Sequence, residues 1–350
     1  MSLQDNMERR WAERSLYDNN YDLLRMVAAL MVVFYHSYAA IGEFSDEPFM
    51  GYFWEWGKPG LSANNLGVIG VHIFFVISGY LVTASYMREH ENYLERRLRR
   101  IMPGLIGGIL FCAFIIGPLA TVLPLAEYFQ LRDLYWFLAY VFLFPVETIF
   151  TIGDVFATHH VPALNVPLWT IPWEMICYML LPFTIFSIKL RGWQYVMFAV
   201  LAGLLIVWRI DHPSFEGGVV NCLYFLVGSL VYRYRHIVPL APRYAAIALI
   251  ATLVCYALGT YDYISVFTFS YIIIYLACFD NNFSDFRELV KGDYSYGVYI
   301  YSWPVQQMLI HMNGGAVSPH YLFIFSLAIT LILAMLSWHY IEKPFVQKRA

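Results

Sequence analysis

Charged residues are scarce in this chain: Asp, Glu, Lys and Arg make up 13% of its 350 residues, whereas 60% are hydrophobic. A soluble domain averages about 25% charged residues, so this composition excludes an ordinary soluble protein and indicates a polytopic membrane protein. The net charge of −3 argues against a nucleic-acid partner. The five cysteines form no Cys-x-x-Cys pair, and no histidine spacing matches a closed zinc site, so we predict no metal.

The N-terminus lacks the apolar stretch and the small-residue cleavage site of a signal peptide, so we expect the first hydrophobic run to be retained. The sequence also shows no internal repeat, no low-complexity tract and no appended soluble domain. We therefore expect one membrane domain over residues 1–350, with residues 1–20 as a cytoplasmic N-terminal segment.

Ten hydrophobic runs are long enough to cross roughly 30 Å of hydrocarbon. They lie near residues 21–41, 66–87, 101–123, 168–188, 193–210, 217–232, 244–260, 264–280, 294–312 and 320–341. Residues 131–150 are an eleventh candidate, but only a ten-span arrangement places all the arginine- and lysine-rich loops on the cytoplasmic side. The prediction is an all-α protein of about ten transmembrane helices with both termini in the cytoplasm. Residues 131–150 then form a re-entrant or interfacial helix within an external segment, 124–167.

Two ionisable residues, Arg25 and His36, share the first hydrophobic run. An arginine at the centre of a membrane helix costs about 2.5–3.5 kcal/mol on insertion scales, and such residues generally mark function. The two are eleven positions apart, roughly 16 Å along a helix axis, and lie near the same face. In the predicted orientation Arg25 lies toward the cytoplasm and His36 toward the outside.

Six stretches carry a family resemblance, in order and over nearly the whole chain. They are LLRMVAALMVVFYH, with an arginine eleven positions before a histidine, GVHIFFVISGYL (70–81), YLERRLRRIMP (93–103), NVPLWTIPWEMICY (165–178), DYSYGVYIYSWPVQQ (293–307) and SWHYIEKPF (337–345). Together they resemble the acyltransferase 3 family of integral-membrane acyltransferases. The chain departs from the family pattern at Ser302, where many members carry histidine, and at His72, where many carry an acidic residue.

The resemblance implies transfer of an acyl group, usually acetyl, from cytoplasmic acyl-CoA to a hydroxyl of an extracytoplasmic or lipid-linked glycan. We therefore expect an acyltransferase of the bacterial inner membrane, with acetyl-CoA as donor and a glycan or glycolipid as acceptor. The sequence does not distinguish a monomer from a homodimer.

His36 is the candidate general base, because an imidazole titrates near neutrality and can take the proton of a sugar hydroxyl. Glu174 is the second candidate catalytic residue. We expect it at a similar depth to His36, where it would orient the imidazole or stabilise its protonated form. The alternative for Glu174 is a hydrogen bond that packs two helices.

The candidate donor site comprises Arg25, Arg97, Arg100 and Ser78. The planar guanidinium groups suit the phosphates or amides of coenzyme A, and Arg97 and Arg100 match arginines of the family motif. The alternative for Arg25 is an arginine near a helix end whose charged group reaches the membrane surface. The alternative for Arg97 and Arg100 is a topology signal at the cytoplasmic surface or binding to anionic lipid headgroups. For Ser78, close helix packing beside Gly79 is the better interpretation, and no base is evident next to it for an acyl-serine intermediate.

The candidate acceptor-binding residues are Asn165, Trp169 and His72, which are all expected near the outer surface. We interpret His159 and His160 as loop residues of the external segment.

A transporter or proton-coupled permease is the rival function, because a path through Arg25, His36 and Glu174 also resembles a proton relay. The absence of visible symmetry between the two halves of the chain argues against it.

Overall fold

The computed structural model describes residues 19–43, 66–142, 151–186, 216–257, 261–278 and 292–346. Within these ranges the regular elements are all helical, without a strand, as the composition predicts. The helices of eight or more residues are α1 Tyr21–Ala39, α2 Leu66–Arg88, α3 Tyr93–Phe111, α4 Arg132–Ala139, α5 Ile171–Phe186, α6 Glu216–Arg233, α7 Pro242–Ala257, α8 Tyr261–Cys278, α9 Tyr294–Met312 and α10 Pro319–Ser337.

Four helical stretches of the described chain are long and apolar enough to span a membrane: Leu66–Arg88, Tyr93–Ala120, Val166–Phe183 and Pro319–Val346. Helices α6, α7 and α8 are apolar but shorter. Helices α1 and α9 have 19 residues each, but both carry polar side chains into the protein interior. The predicted run at 193–210 lies outside the described residues, so the count of about ten spans stays a prediction.

Side-chain contacts give the relative directions of the helices. Tyr21, at the start of α1, stacks on Tyr80 near the end of α2, so these two helices are antiparallel. Helices α2 and α6 are parallel, because Gly79 faces Phe225 and Thr83 bonds Ser229 one turn later. Side-chain contacts also show that α5 is parallel to α6 and that α3 is parallel to α9. Successive spans of the ten-span arrangement cross the membrane in alternating directions, which predicts the same relative directions for these helices.

The arginine-rich motif after α2 is helical, whereas we expected it to lie in a loop before a span at 101. Asn92, with a left-handed φ of 52°, separates α2 from α3, which begins at Tyr93. The expectation was wrong because arginine and leucine favour helix, and acidic neighbours stabilise the first turns. Arg99 bonds Glu95 one turn away at 2.5 Å.

The described part of the 131–150 segment forms α4, which has eight residues and is about 12 Å long, followed by the 3₁₀ turn Tyr140–Phe142. It is too short to cross a bilayer, and it has a buried side with Leu134 and Phe137 and an exposed side with Tyr135 and Trp136. This geometry fits an interfacial helix.

Asp154 attaches the same 124–167 segment to the end of the Tyr93–Ala120 stretch. Its carboxylate accepts hydrogen bonds from the Thr121 hydroxyl at 2.6 Å and from the Val122 amide at 2.7 Å. Burial raises the pKa of this carboxyl, but the two hydrogen bonds lower it, and the net pKa lies below its usual value.

Two wide helical turns interrupt long helices. Cys112–Ile116 continues α3, and Trp338–Glu342 continues α10, each as a π-helical turn. Much of α10 exposes large apolar side chains such as Ile324 and Ile332. The turn at Trp338–Glu342 changes the face of the helix, so that Glu342 is buried and accepts a hydrogen bond from Ser337 at 2.6 Å. π turns of this kind are frequent at functional sites.

Candidate functional site

A charged cavity lies inside the helical bundle, toward the Arg25 end of α1. Its charged and hydroxyl-bearing lining residues come from seven helical segments: Arg25, Ser78, Arg97, Arg100, Thr170, Glu174, Tyr178, Asp293, Ser295, Tyr296, Tyr299 and Glu342. The empty space among the lining residues is about 820 Å³, including the part continuous with the exterior. We call it the arginine cavity. It unites all four predicted donor-site residues with Glu174.

Ser78, Glu174 and Tyr178 form a hydrogen-bonded cluster in the wall of this cavity. Ser78 donates to a Glu174 carboxylate oxygen at 2.9 Å, and the Tyr178 hydroxyl donates to the same oxygen. The two hydroxyl oxygens are themselves 2.9 Å apart. Glu174 and Tyr178 are four residues apart on α5 and so share a helix face.

The cluster corrects two expectations. Glu174 bonds Ser78 and Tyr178, and the expected contact with His36 is not formed. Ser78 does have a carboxylate beside it, contrary to our expectation that no base would lie there. Gly79 packs against α6, as the packing interpretation of the Ser78–Gly79 pair predicts, while Ser78 lines the cavity and its donor-binding role stays a prediction.

The arginines of the α3 motif divide by helix periodicity. Arg97 and Arg100, three residues apart, line the cavity, as residues at that spacing share a face. Arg96 and Arg99 instead pair with acidic residues on the other side of the helix.

The three cavity arginines differ in how their charge is balanced. Arg100 forms an ion pair with Asp293. The Arg25 guanidinium lies 3.4 Å from Asp22, whose side chain is 64% exposed, so solvent screens that pair. Arg97 donates to the Ser85 hydroxyl at 3.1 Å, and within the described chain it has no carboxylate partner.

His36 does not line the arginine cavity. It is buried, its ring packs edge-on against Trp303 with centroids 5.0 Å apart, and its Nδ1 has no hydrogen-bond partner. Trp303 follows the cavity residue Tyr299 by four positions on α9, about 6 Å along the axis. His36 therefore lies about one helical turn beyond the cavity.

The predicted acceptor residues do not converge. Asn165 is buried and donates to the Ile300 carbonyl at 3.0 Å, which joins the 3₁₀ turn Val166–Thr170 to α9. Trp169 lies against Gly217 on α6. His72 stacks on Tyr224 with ring centroids 3.9 Å apart, and its Nδ1 has no partner. Their acceptor-binding roles stay predictions. Among the described residues, Ser302 bonds locally, donating to the Tyr299 carbonyl at 3.5 Å.

A second cavity lies at the other end of α1, which we call the histidine pocket. It is lined by Ala40, Ile41, Thr158, His159, His160, Ile310, His311, Gly314 and Gly315, and the empty space among them is about 870 Å³, including the part continuous with the exterior. In the described residues no cluster of three or more His, Cys, Asp or Glu side chains has the geometry of a metal site.

Sequence reasoning missed Tyr178, Asp293 and Gln307, which bond Glu174, Arg100 and His159. The first could have been found from its spacing, because Tyr178 is one helical turn from Glu174. The other two depend on contacts between residues more than 140 positions apart, for which the sequence has no local signal.

Apolar helices packed around a buried, charged cavity define the class: an integral membrane protein with a polar site inside its bundle. The comparison with protein families is more specific. The acyltransferase 3 family, described as an acyltransferase domain, matches residues 18–339, and the chain belongs to this family. The prediction from the six motifs is confirmed.

Two relatives match over almost their whole length. A protein named O-acetyl transferase from Shigella phage Sf6 is 29% identical over 344 residues, which cover 94% of this chain and 96% of that protein. Nodulation protein 10 of Rhizobium leguminosarum bv. viciae is 25% identical over 372 residues, covering 95% of this chain and 94% of that protein. No solved structure matches the chain significantly.

Proposed function

We propose that this protein is a membrane O-acyltransferase that moves an acetyl group from acetyl-CoA to a hydroxyl of a cell-surface or lipid-linked glycan. Family membership and the Sf6 relative named O-acetyl transferase support the reaction class. The single observation that carries the proposal is the convergence of Arg25, Arg97 and Arg100 with the Ser78–Glu174–Tyr178 cluster in one buried cavity.

Acetyl-CoA occupies the arginine cavity in this proposal, with its phosphates on the guanidinium groups. Arg97 is the strongest candidate for binding a phosphate of acetyl-CoA, since no described carboxylate neutralises its charge and a phosphate would supply the opposite charge. Arg25 is only 11% exposed and has a weak partner, so it can contribute a second charge. Arg100 is held in place by Asp293.

His36 acts as the general base. It takes the proton of the acceptor hydroxyl, whose oxygen attacks the thioester carbonyl carbon. The carbon–sulfur bond then breaks, and the thiolate of coenzyme A leaves with the proton that His36 returns. The buried Nδ1 without a partner supports this role, because a base needs a free ring nitrogen. The acyl group must reach about one helical turn beyond the cavity.

Glu174 acts on the donor side. Because its carboxylate holds the hydroxyls of Ser78 and Tyr178, it fixes two hydrogen-bonding groups in the wall where the thioester would lie. Precise placement of such groups is a large part of catalysis.

The topology that fits this reaction is the ten-span arrangement in the bacterial inner membrane with both termini in the cytoplasm. The arginine-rich start of α3 marks the cytoplasmic side, which is also the side of the arginine cavity. The relative directions of the described helices support it.

The experiment compares purified variants in nanodiscs with radiolabelled acetyl-CoA and a panel of methyl hexopyranosides as acceptors. Arg97→Gln should raise the KM for acetyl-CoA about 10- to 150-fold, the size of a charge-assisted hydrogen bond of about 1.5–3 kcal/mol. Arg99→Gln is the matched control, since Arg99 lies on the same helix but pairs with Glu95 outside the cavity. Equal KM values for the two variants would remove Arg97 from the donor site.

His36→Ala should abolish transfer while binding of acetyl-CoA persists. If this variant transfers as well as the unaltered protein, the base assignment is wrong. If the unaltered protein neither binds nor hydrolyses acetyl-CoA, the enzyme proposal falls and the transporter is the next candidate. Sealed inside-out vesicles should use added acetyl-CoA, whereas right-side-out vesicles should not, because the donor does not cross the bilayer.

A further inference from the structure

One imidazole in the histidine pocket is held in a defined orientation. His159 Nδ1 lies 2.7 Å from the side-chain oxygen of Gln307 on α9. The amide nitrogen of Gln307 donates to the carbonyls of Val161 and Ala163, at 2.6 and 3.2 Å. These two bonds fix the amide of Gln307, so its oxygen is the atom that meets the histidine ring.

The orientation of Gln307 sets the tautomer of His159. An amide oxygen only accepts, so Nδ1 of His159 must carry the proton and donate it. The other ring nitrogen, Nε2, then holds a lone pair and accepts. Burial is the main cause that lowers the pKa of His159; the Gln307 bond raises it, and nearby His311 lowers it, with a net decrease. The lowered pKa favours the neutral ring, and the ligand that this ring suits is a hydrogen-bond donor rather than an anion.

The backbone before His159 is strained in a way that positions the ring. Phe156 is buried with a φ of 58°, a conformation that a bulky residue rarely adopts. Its carbonyl accepts the His159 amide at 2.9 Å, and its ring stacks on the imidazole with centroids 4.8 Å apart. Strain of this kind persists where the surrounding structure holds it, and it clusters at ligand sites.

The histidine pocket is also adjacent to His36. Ala40 lines the pocket and follows His36 by four residues, about 6 Å along the axis. Trp303, which contacts the His36 ring, donates to the Ala163 carbonyl at 2.8 Å, and Gln307 donates to the same oxygen. His36 therefore lies between the two cavities, one turn from each.

We propose that the histidine pocket is the acceptor site and that Nε2 of His159 accepts a hydrogen bond from a hydroxyl of the acceptor sugar. This inference rests on the proposed function. The bound hydroxyl is a neighbour of the reacting one, so His159 positions the sugar and His36 remains the base. A sugar reaching the pocket from the side opposite to the arginine cavity would present its reacting hydroxyl toward α1.

His159→Phe keeps the ring volume but removes both nitrogens. It should raise the KM for a methyl hexopyranoside about five- to tenfold, the effect of one hydrogen bond, and leave the KM for acetyl-CoA unchanged. His159→Gln retains an acceptor atom and should recover part of the affinity. His320→Phe is the matched control, because His320 is exposed, packs on Tyr38 near the same end of α1 and does not line the pocket.

A binding assay without turnover accompanies the kinetics. Diethyl pyrocarbonate modifies unprotonated imidazoles, and mass spectrometry reports the modified position. The methyl hexopyranoside should protect His159 from modification and should not protect His320.

The outcomes separate the two proposals. If the protein transfers acetyl groups but His159→Phe has the unaltered acceptor KM and His159 is not protected, the pocket assignment is overturned and the proposed function stands. If there is no transfer but His159 is protected, the acyltransfer proposal falls and the sugar site stands. If the protein neither transfers acetyl groups nor shows protection of His159, both proposals are overturned.

Discussion

An alanine at position 79 is expected to push apart two helices that are in backbone contact. A Cβ added to Gly79 on α2 would lie 1.9 Å from the Phe225 carbonyl oxygen of α6. The contact is reciprocal, because a Cβ on Gly228 of α6 would lie 2.2 Å from the Val76 carbonyl oxygen of α2. Backbone atoms cannot rotate away as a side-chain end can, so the helices themselves must move.

The size of the movement follows from these distances. Ordinary contact begins near 3.4 Å, so the separation needed at Gly79 is 3.4 − 1.9 = 1.5 Å. Overpacking of this kind costs about 1–3 kcal/mol, and the better helix propensity of alanine offsets up to about 1 kcal/mol. Ser78 is the adjacent residue. If the whole movement fell on its bond to Glu174, the distance would grow from 2.9 Å to about 4.4 Å, beyond hydrogen-bond range.

Gly79→Ala should therefore lower the melting temperature in detergent by a few degrees and reduce the kcat of acetyl transfer more than it changes the KM for acetyl-CoA. The matched control is Gly107→Ala on α3, where the nearest atoms are the side-chain ends of Tyr301 and Ile341, at 2.9 and 3.2 Å. That variant should lose less stability than Gly79→Ala, because a side-chain end can shift where a backbone carbonyl cannot and the helix propensity of alanine offsets part of the cost. A Gly79→Ala protein with unaltered melting and activity would refute the reasoning.

Three further substitutions test the cavity and the 124–167 segment. Tyr178→Phe removes one of the two hydroxyls on Glu174 and should cost about 1–3 kcal/mol in thermal unfolding; an unchanged melting temperature would contradict the bond. Asp293→Asn leaves the charge of Arg100 uncompensated and should lower the free energy of unfolding by about 1–2 kcal/mol. This is less than for a fully buried pair, because Arg100 is 35% exposed. Neutralising both residues should recover part of the loss in a double-mutant cycle. Asp154→Asn should cost about 1 kcal/mol and speed hydrogen exchange over residues 151–163. In the unaltered protein the same loss of stability should appear only as the pH falls below about 4, because a carboxyl with a lowered pKa stabilises the fold above its unfolded pKa. Hydrogen exchange that is equally fast at pH 7 with and without the substitution would contradict this role of Asp154.

The helices, the family and the residues that meet in the arginine cavity were predictable, because their signals lie in short segments or in the order of the motifs. Hydrophobic run length predicts helices, and the three-residue spacing of Arg97 and Arg100 predicts a shared face. The order of the six motifs predicts the family. These signals depend on residues close in sequence or on the order of the motifs along the chain. In the structure, Arg25 and Ser78 line the arginine cavity together with Arg97 and Arg100.

The depth of Glu174 was not predictable from span boundaries. We counted its depth from an assumed helix start, but α5 begins only at Ile171 and is preceded by the 3₁₀ turn Val166–Thr170. Such a turn rises about 2.0 Å per residue instead of 1.5 Å, so its three residues within the predicted span, 168–170, place Glu174 about 1.5 Å deeper. The side chain therefore reaches Ser78 and the arginine cavity rather than His36.

The partners of the polar residues in α9 were not predictable either. Mean hydropathy treats a buried polar side chain as unfavourable, although in α9 the buried Gln306 and Gln307 donate from their amide nitrogens to backbone carbonyls of other segments. These partners lie far away in sequence, so nothing near α9 in the chain indicates how the two glutamines are enclosed.

The π turn at Trp338–Glu342 gives the last helix an unusual tolerance at the genetic level. Deleting one residue from a regular α-helix rotates everything beyond it by about 100°. A π turn already contains one residue more than an α turn, so losing a single codon there would restore regular α-helix with the parts on either side nearly in register. The wall of the arginine cavity to which Trp338 and Glu342 belong would change locally and would not be turned away. An in-frame deletion of three nucleotides should therefore destabilise the protein less at this turn than within the straight part of α10.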